Sequence, residues 1–249
     1  MMAFAIFSEQ LPFTALLNRA FGHGAAALAE RFGIHADPHA PIPNWIAMQV
    51  LVVLLLIAFF VVVRSRLSVE RPGVVQQIAE GFHGFIENQS KELIGHHGYE
   101  RFTPFLLTLC LFLLTSNLLG MIPGFESPTA VPYVPLGCAI LAFVYYQYQG
   151  VRHQGVHYAK HFMGPVLALA PLMVIIEIIS HLARVMSLTV RLFANIFAGD
   201  MLTLAFFSLI PVAIPVVFLL LHVGVSIIQT YIFVLLTTVY LSGAVAEEH

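Results

Sequence analysis

WIAMQVLVVLLLIAFFVVV, residues 45–63, is the stretch that decides the class of fold. Its 19 residues include no Asp, Glu, Lys or Arg. A helix needs about 20 apolar residues to cross the roughly 30 Å hydrocarbon core of a bilayer. The stretch therefore predicts a membrane-spanning helix, with Trp45 at one interface. Arg64, Arg66 and Arg71 then end the apolar run.

The composition indicates the same class of protein over the whole length. The chain has 249 residues, of which 59% are hydrophobic and only 10% are charged, whereas soluble domains usually carry about 25% charged residues. Its net charge of −2 argues against nucleic acid as a partner. Cys110 and Cys138 lie in apolar runs, so we expect two free thiols.

Working outward from residues 45–63, the chain predicts an all-α membrane protein. Residues 1–44 form an external segment, with a possible amphipathic helix over 11–32 and a proline-rich linker after it. Its start has no basic region, so we expect no cleaved signal peptide. Residues 45–249 form a polytopic membrane domain, with further spans at 103–122 and 133–149.

The segment 64–101 is polar, and we expect it to lie on the cytoplasmic side. Val74, Ile78, Phe82 and Phe85 recur at helical spacing, which favours an amphipathic helix on the membrane surface. Lys and Arg concentrate in this segment, with five of them, and in 147–164, with two. Because cytoplasmic loops are enriched in these residues, the N-terminus is predicted outside and the C-terminus in the cytoplasm.

The last two apolar segments are too long for ordinary spans. As helices, 165–208 and 211–246 would measure roughly 65 and 55 Å, about twice the thickness of the bilayer core. A tilt of about 40° would not absorb this excess. We therefore predict two steeply inclined helices that form a hairpin over 165–246, turned at 208–211. With the three earlier spans, this makes five membrane helices.

Polar residues form stripes on both inclined helices. Glu177, Arg184 and Arg191 are spaced seven apart, and Asn195 returns to the same direction at 100° per residue. Ser180, His181 and Ser187 lie on or beside this stripe, and Asp200 points about 140° away from it. On the second helix the stripe comprises His222, Ser226, Gln229 and Tyr240.

Several of these residues have a simple structural alternative. Glu177 could pair with Arg184, which could itself extend its charge to the interface. Asn195, Ser226 and Gln229 could join helices by hydrogen bonds, and His222 could be a neutral buried histidine. Asp200 and His222 could form either a proton-passing pair or a plain ion pair.

Arg191 resists a structural explanation, because a guanidinium inside the membrane costs several kcal/mol, roughly 2.5–3.5 even on the lenient insertion scale. The arrangement suits proton conduction without a leak. Carboxylates, imidazoles and amides can form relays with water, whereas a guanidinium does not release its proton and can block such a relay. Two relays separated by this cation conduct only if a moving partner carboxylate carries the proton past it.

No metal or cofactor is expected. His153, His157 and His161 could suggest metal ligands, but a hydrated loop suits them better, since no Cys or Glu-x-x-His pattern accompanies them. There is no Walker-type phosphate-binding loop, so ATP chemistry is not expected on this chain.

The strings PLMVIIEIIS, SLTVRLFANIFAGD and HVGVSIIQTYIFVLLTTVYLS resemble subunit a of the F-type ATP synthase. TSNLLGMIP, at 115–123, is similar to that family's third helix. The resemblance implies a proton-translocating stator subunit, without catalysis of its own, that faces a rotating c-ring and contacts peripheral-stalk b-type subunits and membrane lipid. The bacterial plasma membrane is the expected location, since Asp200 stands where bacterial relatives often have glutamate.

The resemblance also assigns roles to residues. Arg191 matches the essential arginine that separates two half-channels, and the cytoplasmic half-channel is matched by Glu177 and Ser180. The outer half-channel is matched by Asn195, Asp200, His222 and Gln229, with Asn117 as a further lining residue. Gly120 stands where some relatives have an acid. The alternative, a proton-coupled secondary transporter, would predict inverted repeats and broken helices.

Overall fold

The chain folds into α-helices, as predicted. A computed structural model describes residues 11–31, 41–69, 71–95, 98–122, 124–155, 170–209 and 213–245. Within these ranges there are seven α-helices and one short 3₁₀ turn, Pro128–Ala130. In chain order the helices are α1 (Pro12–Arg31), α2 (Asn44–Ser65), α3 (Val74–Ile94), α4 (Tyr99–Leu119), α5 (Tyr133–Gln154), α6 (Ala170–Leu209) and α7 (Ala213–Val245).

Four of the described helices, namely α2, α4, α6 and α7, are long and apolar enough to cross a membrane. The predicted third span is also a helix, α5, but it continues to Gln154 instead of ending at residue 149. Its last turn carries Arg152 and His153, so its composition is less apolar than that of the other four. The predicted span 103–122 begins earlier and ends earlier than expected, because α4 covers Tyr99–Leu119.

The expectation that each of the last two segments is one continuous helix is confirmed within the described residues. Helix α6 runs unbroken for 40 residues and α7 for 33. They pack side by side in opposite directions, since Asp200 near the end of α6 contacts His222 near the start of α7. At the other end, the Arg184 guanidinium lies 5.0 Å from the centre of the Tyr240 ring.

The core lies where α4 and α5 meet the last two helices. Helix α4 is the most central of these four helices, because 56% of its most apolar 18-residue segment is buried, against 17% for α2. On α6 the stripe Leu188, Leu192 and Ile196 repeats every four residues and packs into this core. From α7, Phe233 enters the same cluster. This packing fixes the rotation of α6 about its own axis, and hence the direction of each polar side chain on it.

The outer elements attach through fewer contacts. Helix α1 is joined to the start of α2 by the Asn18 side-chain amide, which bonds to both backbone groups of Ile42. Helix α3 exists as predicted and exposes Ile78 and Phe85, while its Gln89 amide donates to the Tyr231 hydroxyl on α7 at 3.1 Å. Of the apolar stripe expected on α3, Val74 and Ile78 are therefore exposed, whereas the Phe85 ring also packs near the Tyr231 ring, with ring centres 5.9 Å apart.

Candidate functional site

Arg191 lies on α6 at the border between the buried stripe and an exposed apolar surface. Its Nη2 donates to the Ser187 hydroxyl one turn earlier, at 3.3 Å. The neighbouring Met186 and Val190 are more than half exposed. Among the residues that the structure describes, no carboxylate lies within 4.0 Å of the Arg191 guanidinium.

A second cluster surrounds Glu177, four turns before Arg191. Glu177 Oε1 lies 3.2 Å from His181 Nε2, and the Tyr146 hydroxyl on α5 lies 3.1 Å from His181 Nδ1. Arg184, the alternative partner of Glu177, instead stacks on the ring of Tyr240. The polar residue that completes the cluster is therefore His181, which the sequence placed on or beside the stripe without a role in proton transfer.

A third cluster joins the two long helices near their connection. Asp200 Oδ1 lies 3.6 Å from His222 Nδ1, so the expected approach of these two side chains is confirmed. Gly199 makes this approach possible, because a Cβ there would lie only 2.9 Å from two atoms of the imidazole ring. His222 Nε2 is buried and has no hydrogen-bond partner in the described part of the chain.

Glu126, on the loop before α5, adds a carboxylate that sequence reasoning missed. Its Oε1 accepts from the Asn44 amide at 3.4 Å. Burial raises the pKa of Glu126, and the hydrogen bond from Asn44 offsets part of this rise. An acid at position 120 would not fit, because a Cβ on Gly120 would lie 2.6 Å from Ser127 Cβ.

Asn117 sits in a buried hydrogen-bond network beside this third cluster. Its amide nitrogen donates to the Thr230 hydroxyl at 3.1 Å, and its oxygen accepts from Thr129 at 2.6 Å. Ser127 extends the network, with its hydroxyl 2.7 Å from that of Thr129. The Ser226 hydroxyl, one turn from Thr230, is buried without a described partner. Such orphaned groups usually bind an ordered water.

The cluster around Glu177 and the cluster around Asp200 lie at different levels of α5. His181 contacts Tyr146 and Gln147 in the second half of α5, whereas the loop that carries Glu126 leads into its start. Arg191 stands between them along α6. The remaining candidates, Ser180, Asn195 and Gln229, are half-buried, and their side chains make no hydrogen bond within the described ranges. The structure thus brings Asp200 to His222 as expected, gives Glu177 and Asn117 partners that the sequence did not indicate, and leaves these three apart.

No metal-binding cluster of three or more His, Cys, Asp or Glu side chains occurs among the described residues. Of the three histidines considered as ligands, His157 and His161 lie outside the described residues. His153 instead packs near the ring of Phe102, with the ring centres 6.1 Å apart. Cys110 and Cys138 are both free thiols.

Comparison of the sequence with known proteins shows the family of the chain. Residues 46–242 match the family model described as "ATP synthase A chain". The chain is 53% identical to ATP synthase subunit a of Koribacter versatilis (strain Ellin345), over 97% of this chain and 99% of the relative. It is 50% identical to ATP synthase subunit a of Solibacter usitatus (strain Ellin6076), over 84% of this chain and 90% of the relative. With a match across most of its length in both comparisons, the chain belongs to the family of ATP synthase subunit a.

Proposed function

We propose that the chain conducts protons along two offset half-channels, which open to opposite sides of the membrane and meet a rotating c-ring on either side of Arg191. The family is the proton-translocating stator subunit of ATP synthase, and the chain is a non-catalytic membrane subunit. Proton flow through it would drive the ring and so couple the proton-motive force to ATP synthesis elsewhere in the complex. The secondary-transporter alternative falls with the family membership.

The observation that carries this proposal is the position of Arg191. A guanidinium in a helix of this hydropathy is costly, yet no described carboxylate neutralises it. Its border position, beside exposed apolar residues such as Val190, suits contact with another membrane subunit. A ring carboxylate would be held there while deprotonated and released when protonated. The guanidinium keeps its own proton, so no proton passes directly from one half-channel to the other.

The half-channels are assigned from the two clusters. We place Glu177 and Ser180 in the cytoplasmic half-channel and Asp200, His222 and Asn117 in the outer one. Asn195 and Gln229 are assigned to the outer group by resemblance. A carboxylate next to an imidazole, with an open ring nitrogen beside it, is a suitable pair for passing protons through water.

The proposed membrane arrangement follows from the lengths of the helices and from the side of the membrane on which each begins. At 1.5 Å per residue, α6 and α7 would measure about 60 and 50 Å, so both must incline steeply in a roughly 30 Å core. Helix α5 would be the fifth span. Its first residue, Tyr133, packs on Trp45 at the start of α2, with ring centres 5.8 Å apart, so both helices begin on the same side. An aromatic pair of this kind suits the outer interface.

This arrangement puts the N-terminus outside and the C-terminus in the cytoplasm of a bacterium, with the chain in the plasma membrane. Helix α3 would lie on the cytoplasmic surface, with the exposed Val74 and Ile78 towards lipid. Besides the c-ring, the expected partners are peripheral-stalk b-type subunits and membrane lipid. Neither nucleic acid nor a cofactor is part of the proposal.

The test is to replace Arg191 in the assembled complex and to measure proton flux and ATP synthesis in vesicles. We expect both Arg191→Ala and Arg191→Lys to stop proton-driven synthesis, and Arg191→Ala to let protons leak passively, because nothing then blocks the path. Arg152→Ala, which removes a cation near the end of α5, is the matched control and should leave synthesis intact. Normal synthesis by Arg191→Ala would refute the blocking role.

A further inference from the structure

His181 is a buried imidazole that makes polar contacts with two helices. Only 8% of the residue is exposed. Its Nε2 lies 3.2 Å from Glu177 Oε1 and 3.3 Å from the Gln147 amide nitrogen. Its Nδ1 lies 3.1 Å from the Tyr146 hydroxyl. Each ring nitrogen therefore has an oxygen partner within reach, a carboxylate on one side and a phenol on the other.

These partners accept the ring in both of its charge states. When His181 is neutral, Nε2–H can donate to Glu177 and Nδ1 can accept from the Tyr146 hydroxyl. When it is charged, both nitrogens donate, and the Tyr146 hydroxyl need only rotate to offer a lone pair. The Gln147 amide can turn either its nitrogen or its oxygen towards the ring. No hydrogen bond is lost on protonation, which is the condition for a group that gains and releases protons repeatedly.

We propose that His181 relays protons in the cytoplasmic half-channel, between Glu177 and the interior at Tyr146. The inference deepens the proposed function and rests on it. A proton delivered to Nδ1, from the Tyr146 hydroxyl or from water beside it, makes the imidazolium. Nε2 then gives its proton to the Glu177 carboxylate. The ring is left neutral with its proton on Nδ1, and a tyrosine that gave a proton regains one from water. Glu177 then releases its proton to the cytoplasmic side, and the ring turns over or exchanges its proton with water, which restores Nε2–H before the next transfer.

Charged and titratable groups on every packed helix bear on this relay. Helix α6 contributes Glu177 and Arg184, α5 contributes Tyr146, and α7 contributes Tyr240. The Tyr240 ring lies 6.0 Å from that of Tyr146 and 5.0 Å from the Arg184 guanidinium. A fixed cation therefore lies beside this tyrosine pair, and Glu177 is the carboxylate that His181 reaches.

The competing explanation is that His181 only fastens α6 to α5. His181→Gln separates the two, because glutamine can bond to Tyr146 and Glu177 but binds no proton in this range. We expect the assembled His181→Gln complex to lose about tenfold or more in proton-driven synthesis, since a positioned acid–base group typically contributes 10²–10⁴-fold. Its dependence on cytoplasmic pH should flatten as well. Tyr146→Phe should shift that pH profile, whereas the control Tyr145→Phe, whose ring stacks on Phe105, should not.

Rescue by a small molecule provides a second measurement. In His181→Ala complexes, added imidazole should restore synthesis, while pyrazole, which has the same shape and is far less basic, should not. Wild-type synthesis and pH profile in His181→Gln, or equal rescue by both molecules, would overturn the relay. If His181→Gln fails to assemble, an unchanged pH profile in Tyr146→Phe would overturn it instead. If the His181 tests fail while Arg191→Ala is inactive, only the relay through His181 is refuted. If Arg191→Ala is active, the proposed function itself is refuted.

Discussion

Gly199→Ala is expected to separate the Asp200–His222 pair without unfolding the subunit. The added Cβ would lie 2.9 Å from Cε1 and Nδ1 of His222, whereas carbon atoms pack best at about 3.5–4.0 Å. The ring must therefore retreat by about 0.6–1 Å. Nδ1 is 3.6 Å from Asp200 Oδ1, within ion-pair distance but beyond a direct hydrogen bond, so a retreat of this size away from Asp200 would break the ion-pair contact. A displacement of about 1 Å can cost about 10²-fold in rate.

We therefore expect proton-driven ATP synthesis in vesicles to fall by about 10- to 100-fold. Overpacking costs roughly 1–3 kcal/mol, less than the 5–15 kcal/mol of typical folding stability, so the complex should still assemble. Gly81→Ala on α3, where an added Cβ meets nothing within 4 Å, is the control. Adding His222→Ala to Gly199→Ala should recover thermal stability but not synthesis. Full synthesis by Gly199→Ala alone would show that the close packing of this ring is dispensable.

Two further changes test the loop before α5. Gly120→Asp should sharply reduce the yield of assembled complex, because its Cβ would meet Ser127 Cβ at 2.6 Å and the Ser127 backbone nitrogen at 2.8 Å; normal yield on a native gel would contradict this. Glu126→Gln should stabilise the complex at pH values where wild-type Glu126 is ionised, because burial raises the pKa of Glu126 above its ordinary value and ionisation in the folded protein therefore costs stability as pH rises. In acid, where wild-type Glu126 is protonated, the gain in stability should vanish. Thermal melts across pH check this, and a gain that persists in acid would contradict it.

The helices could be predicted from the sequence because long apolar runs report directly on membrane burial. The two continuous helices and the meeting of Asp200 with His222 followed from helical geometry and one turn. The partners of His181 did not follow, because Tyr146 reaches it from α5, and no pattern along one helix reveals which neighbour packs there. Glu126 was missed for a similar reason: its place depends on the tight packing of Ser127 against Gly120, a contact between two loop positions.

Because α6 is unbroken, the number of residues between two positions gives the distance between them along the helix. From Glu177 to Asp200 there are 23 steps, which span about 35 Å at 1.5 Å each. A single deleted residue in this interval would turn everything beyond it by about 100° and bring Asp200 out of phase with His222. Deletion of seven residues would nearly preserve the direction of each side chain, but it would shorten the distance from Glu177 to Asp200 along the helix by about 10 Å. Insertions and deletions in this interval are therefore far harder to tolerate than single substitutions.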